Sequence, residues 1–192
     1  MSDFIKDFRD SANELRHLKC LTIAAMLTAL SIVIGFFQIP IGQMLYIRFD
    51  FIAIGMIGYL YGPVVSGLCA CVSDLLRIVL VPTNNGSFFI GMTITAVLAG
   101  MVYGIAFYRR KLGLIRVLLT MLFIGVFLHI LLNTYWLSIM YGTPFWTLLP
   151  QRIVKNAISI PVNTILFFAL SNPLSIACRK LNLVSVPTKQ QM

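Results

Sequence analysis

Asp50 and Asp74 are the only acids in this 192-residue chain beyond its first fourteen positions. Both sit inside apolar stretches, Asp50 two residues after Arg48 and Asp74 three residues before Arg77. Farther on, Arg152 and Lys155 stand three apart, within one helical turn of each other. An ionisable group at the centre of a bilayer costs at least ~2.5 kcal/mol, so such groups need counter-charges or a watery recess. Local pairing is one answer. Asp74 and Arg77 could neutralise each other on one helical face, and Arg48 and Arg152 could reach the headgroups. That answer still leaves more bases than acids. A shared recess uses the surplus: Arg152 and Lys155 suit a ligand with carboxylates, the guanidinium binding bidentately. An aspartate in the same cavity can accept paired N–H donors from the amino-amide edge of a heterocycle. Trp136 or Tyr135 offers a stacking surface, and Asn133, Asn156 and Asn163 add donors and acceptors. Together these residues predict a pocket for a small organic anion with a polar ring.

Other chemistry lacks its residues. His17 and His129 have no neighbouring Cys or carboxylate with which to hold a metal, and no cofactor is expected. Cys20, Cys69, Cys71 and Cys178 fall in or beside apolar runs, where free thiols behave as small hydrophobes. The phosphate-binding pattern G-x-x-x-x-G-K-[ST] does not occur, so ATP is not bound that way. There is no chain of intramembrane acids to carry protons. A membrane enzyme using Asp50 or Asp74 as acid–base groups would bring a metal cluster or a His–acid pair, and neither is visible. A binder without an engine implies a partner that has one; nucleic acid is not among the expected partners.

The elements that must position these groups are membrane spans. The chain is 59% hydrophobic and 11% charged, with mean hydropathy +0.91, against roughly 25% charged residues in a soluble domain. Its surface must therefore face hydrocarbon. The apolar runs predict an all-α protein of six transmembrane helices, over 20–39, 47–61, 64–81, 88–108, 116–141 and 153–177. A re-entrant hairpin over 47–80 would instead give four crossings. Arg9, Arg16, Lys19, the 109–116 cluster, Arg179, Lys180 and Lys189 share one side, which places both termini in the cytoplasm. The ionisable set then lies at the outer ends of spans two, three and six. Residues 1–19 carry four acids and four bases around Phe4, Ile5, Phe8, Ala12 and Leu15. That segment predicts a short amphipathic helix on the membrane surface rather than a signal peptide; the bland alternative is a frayed tail. Residues 20–178 form the bundle and 179–192 a cytoplasmic tail. Small residues four apart, Ala25 and Ala29 among them, allow close helix approach.

Several runs resemble the substrate-binding S components of energy-coupling-factor (ECF) vitamin transporters. They are Arg48-Phe49-Asp50-Phe51, Gly62-Pro63-x-x-x-Gly67, Ser73-Asp74, Gly86-Ser87-Phe88-Phe89-x-Gly91 and Gly100-x-x-Tyr103-Gly104. Each is weak alone; their order and spacing over 20–178 carry the resemblance. The C-terminal third is most similar to the folate-specific branch, through Asn133-Thr134-Tyr135-Trp136-Leu137, Tyr141-Gly142-Thr143-Pro144 and Pro150-x-Arg152-x-x-Lys155 with Pro161. The resemblance implies a six-helix protein of the bacterial plasma membrane that binds folate from outside. It implies reorientation on a transmembrane coupling subunit powered by two ABC-type ATPases, with docking through an Ala-x-x-x-Ala face that Ala25 and Ala29 match. Arg48, Asp50, Asp74, Arg77, Asn133, Trp136, Arg152, Lys155 and Asn156 are the expected substrate-binding residues. Pantothenate or a queuosine precursor remains an alternative ligand, and a purely structural membrane subunit an alternative role.

Overall fold

A computed structural model describes residues 2–36, 38–40, 46–80, 89–110, 112–142 and 144–180. Helix α1 (Ser2–Glu14) precedes α2 (Leu18–Phe36), and a short antiparallel pair, β1 (Gln38–Pro40) with β2 (Tyr46–Arg48), follows. Next come α3 (Phe51–Tyr61), α4 (Pro63–Leu80) and α5 (Ile90–Phe107). Helix α6 (Leu114–Phe123) runs through a π-helical segment (Ile124–Leu132) into α7 (Asn133–Tyr141), and α8 (Phe145–Lys180) closes the described chain.

Five helical stretches are long and apolar enough to cross a bilayer: Leu18–Phe36, Pro63–Leu80, Ile90–Phe107, Leu114–Met140 and Arg152–Ser171. Most of their large apolar side chains are exposed, Val79 and Ile115 among them, as lipid-facing helices require. Helix α3 has 11 residues and rises about 16 Å, roughly half the hydrocarbon thickness. It is almost wholly buried in the bundle, the setting in which a short or interrupted segment keeps its backbone away from lipid.

Close approaches set the packing. A Cβ on Gly58 would stand 2.8 Å from the Gly104 backbone nitrogen, and a Cβ on Gly104 would collide with Pro63. Helices α3, α4 and α5 therefore meet backbone to backbone, the use of small residues expected in a medium that supplies no hydrophobic drive between helices. Beneath this crossing Phe167 of α8 stacks on Phe107 at 5.0 Å and on Tyr103 at 6.4 Å, with one edge over Gly55.

Differences from the sequence reading lie at element ends. The second span was expected from 47, but β2 occupies 46–48 and the helix begins at Phe51. Arg48 thus lies on an extended strand paired with Gln38, whose ladder bonds satisfy backbone that a helix would otherwise have to satisfy. The last crossing stretch, Arg152–Ser171, starts where the span was expected, at about 153, while the helix that contains it begins earlier, at Phe145, and carries Pro150 within its second turn.

The N-terminal segment is helical, as expected, and its inner side is claimed by the bundle. Ser11 is fully buried, donating to the Tyr61 carbonyl at 2.7 Å and accepting from the N–H groups of Val64 and Val65 at 3.1 and 3.3 Å. Those two amides are first-turn donors of α4 that lack intrahelical partners. A serine fifty residues away thus supplies the cap at the Gly62-Pro63 break, where Gly62 has φ +87°. Arg109, just beyond α5, donates to Asp10 at 2.7 Å, so α1 and the α5–α6 turn share one end of the bundle.

Candidate functional site

At the opposite end, Asp50 immediately precedes α3 and Arg77 lies in the last turn of α4. Their side chains meet at 2.7 Å, with 15% and 14% of each exposed. The pair lies against Gly35 near the end of α2, so three elements bring it together. A pair this withdrawn from water is screened little by salt. Asp74, one helical turn before Arg77, accepts from Thr93 Oγ1 of α5 at 2.8 Å. The guanidinium reaches across to the head of α3 and Asp74 is bonded to α5, so the two acids serve different junctions. Arg48 lies two residues before Asp50, at the end of β2; its side chain falls outside the described residues.

A second group lies on α7 and α8. Trp136 packs flat against Gly91 in the first turn of α5, where a Cβ would come within 2.5 Å of the indole. Phe89 tilts against the same ring at 5.7 Å. Only glycine at 91 leaves room for that indole, which gives the Gly91 of the sequence motif a packing reason. Arg152 is 9% exposed and Asn156 is buried; the Asn156 amide donates back to the Arg152 carbonyl at 2.9 Å. Lys155 is half-buried on the same turn. Trp136, Gly91 and the Asp74–Thr93 bond all border the start of α5, which joins the two groups.

What singles out this region is unsatisfied polarity. Asn133 Oδ1, Thr134 Oγ1, Trp136 Nε1, Ser159 Oγ and Asn163 Oδ1 are buried and have no hydrogen-bond partner among the described residues. A buried polar atom left unpaired costs about 1–3 kcal/mol, and native structures seldom tolerate several together. Such donors and acceptors, spread along α7 and α8, are of the kind a polar partner would satisfy. Residues 152, 156, 159 and 163 recur at helical spacing, so α8 presents one polar stripe within a largely apolar helix.

Of the expected site residues, Asp50 meets Arg77, and Trp136 and Asn133 lie among the unsatisfied atoms. Arg152, Lys155 and Asn156 share one part of α8. Thr93, Thr134 and Ser159 were not singled out from the sequence. Ser159 could have been found by extending the 152–156 spacing, whereas nothing local marks Thr93 as the partner of Asp74. Ala25 and Ala29 are exposed on α2, on the surface turned away from the core. No group of three or more His, Cys, Asp or Glu suited to a metal occurs among the described residues.

These features define a helical membrane protein with buried charged and polar side chains collected toward one end of α3, α4, α5, α7 and α8. The model for the substrate-specific component of ECF transporters matches residues 19–171, and this chain belongs to that family. Its members are transporter subunits, which sets aside the membrane-enzyme reading. A folate transporter FolT of Clostridium novyi is 35% identical over 122 residues, covering 64% of this chain and 70% of that protein. A FolT of Leuconostoc mesenteroides is 31% identical over 158 residues, covering 78% and 83%. The crystal structure of a FolT bound with folic acid superposes with TM-score 0.74 at 31% identity, covering 82% of this chain and 95% of that one. An S component for biotin superposes at 0.60 with 22% identity, covering 81% and 92%; at that identity the likeness concerns the fold alone.

Proposed function

We propose that this chain is the folate-capturing subunit of an ECF importer in a bacterial plasma membrane. Folate enters the recess from outside; the chain then reorients on a transmembrane coupling subunit driven by two ABC ATPases. The observation that carries the assignment is the set of buried, unsatisfied polar atoms of Asn133, Trp136 and Asn163 on α7 and α8, the latter being the helix that also bears Arg152 and Lys155. FolT relatives on both the sequence and the structure side support the choice of ligand.

In this reading Arg152 and Lys155 take the two carboxylates of the glutamate tail, with Asn156 bracing the turn that bears them. The pterin stacks on Trp136 and offers its amino-amide edge to Asp74. One Asp74 oxygen is engaged by Thr93, and a carboxylate keeps further acceptor positions. Asp50, Arg77 and Arg48 close the recess from the side of α3 and α4, and Asn133 adds a contact from α7.

Six crossings with both termini cytoplasmic follow from the same reading. Helix α3, which runs from the end bearing Asp50 to the end bearing Ser11, is the short second crossing in this reading. The exposed Ala25 and Ala29 of α2 are the face for the coupling subunit.

Mass spectrometry of the small molecule retained by protein purified in mild detergent tests the ligand directly; recovery of pantothenate or another vitamin in its place would overturn the assignment. Equilibrium binding then tests the roles. Asp74→Ala should weaken folate and pteroate, the same rings without glutamate, to similar degrees. Arg152→Ala should weaken folate by tenfold or more, as loss of a charge-assisted bond of about 1.5–3 kcal/mol implies, and pteroate far less. Equal losses for both ligands in Arg152→Ala would remove the tail assignment.

A further inference from the structure

A recess lies at the Ser11 end of the bundle, between the end of α5 and the start of α6. It is an open-sided groove of about 570 Å³ whose lining includes Arg110 and Arg116 with Ala106, Gly113, Ile115 and Leu119. Both helices belong to membrane-crossing stretches, Ile90–Phe107 and Leu114–Met140, so the turn joining them lies at the boundary of hydrocarbon and water. Ile115 and Leu119 are 74% and 61% exposed and continue the groove's apolar wall toward the lipid. The basic cluster on this turn is divided in its duties. Arg109 turns to α1, where it binds Asp10 at 2.7 Å and lies over the Tyr108 ring. Arg110 and Arg116 line the groove.

Two guanidiniums at the rim of a cleft whose walls are aliphatic match one chemistry closely: a phosphodiester with acyl chains attached. Planar guanidinium groups bind phosphate oxygens in paired hydrogen bonds, and basic side chains at a bilayer surface favour anionic lipid. We infer that the α5–α6 groove is a binding site for an anionic phospholipid, its headgroup phosphate between Arg110 and Arg116 and an acyl chain along Ala106, Ile115 and Leu119. The lipid would anchor this end of the bundle while the ligand recess occupies the other. This site is independent of what the recess binds.

Native mass spectrometry of the full chain from micelles holding equal phosphatidylglycerol and phosphatidylcholine tests the site. About fivefold preference for each guanidinium near an anionic headgroup predicts about thirtyfold for the two together. Arg110→Gln with Arg116→Gln should abolish that preference. Arg16→Gln with Lys19→Gln removes the same charge elsewhere and should preserve it. Gly113 has open space around it and an extended backbone with φ −105°, so Gly113→Leu can fill the groove without strain. It should cut phosphatidylglycerol retention while both arginines remain. Equal retention of the two lipids, or equal loss in the Arg16/Lys19 variant, would overturn the site. Unchanged lipid retention in the Arg110/Arg116 variant together with failed assembly on the coupling subunit would make the groove a protein dock and likewise overturn it.

Discussion

Ser11→Ala removes one oxygen from a position with no access to water, and its consequence can be worked group by group. The hydroxyl donates to the Tyr61 carbonyl and accepts from Val64 and Val65. Losing an N-cap costs about 1 kcal/mol, and leaving a buried carbonyl short of its donor costs about 1–3 kcal/mol. The sum is about 2–4 kcal/mol, with no clash to complicate it, because alanine is smaller than serine. Equilibrium unfolding in mixed micelles, with the denaturing detergent varied, reads the difference. Asn13→Ala, on the exposed side of the same helix, should fall within about 0.5 kcal/mol of the parent, as surface changes usually do. If Ser11→Ala is as mild as Asn13→Ala, the idea that α1 caps α4 is wrong and α1 is a peripheral appendage.

Gly104→Ala drives a methyl into Pro63 and the Gly62 carbonyl carbon, atoms of the main chain that cannot rotate away; it should cost more than 3 kcal/mol or abolish expression, and a mild effect in the same unfolding assay would contradict the α4–α5 contact. For the Asp50–Arg77 pair, Asp50→Ala and Arg77→Ala should each cost about 3 kcal/mol, the usual penalty for orphaning a buried charge. The double variant should lose distinctly less than the sum; strict additivity would mean the two are not coupled. Tyr108, 4% exposed, has its pKa raised, chiefly by burial, with Arg109 opposing and the carboxylates of Glu14, Asp10 and Asp7 adding to the rise. The unfolded chain then releases this proton first as pH rises, so the contribution to stability is whole below the ordinary tyrosine range and is lost above it. Tyr108→Phe should flatten part of the alkaline decline in unfolding midpoint; an unchanged pH profile would count against that burial.

Hydropathy made the long spans readable because a bilayer imposes length and apolarity with few exceptions: the run from 116 to about 141 matches Leu114–Met140 almost residue for residue. The candidate residues were readable for a related reason, since charge in such a chain is too costly to be incidental. Partnerships were harder to read. Spacing left Arg77 free to join Asp74 on its own helix, yet it meets Asp50, because the β1–β2 pair delivers Asp50 to the head of α3 and no local pattern announces that delivery. Ser11 reads as one small polar residue on an amphipathic helix; its role depends on a break fifty positions away. The early start of α8 was hidden by Pro150, which read locally argues for a break. The groove beside Arg110 was visible only as positive charge, since its shape depends on how α5 and α6 diverge.

The π-helical segment at Ile124–Leu132 has a consequence for the direction in which α7 is aimed. Its hydrogen bonds close on the fifth residue rather than the fourth, so each turn holds more residues than in the α-helices flanking it. Over nine residues that lag rotates α7 relative to α6 by a large part of a revolution, and so sets which side chains of α7, Asn133 and Trp136 included, meet the bundle. Dropping or adding a single aliphatic residue there would re-aim both side chains while leaving the span's length and oiliness almost unaltered.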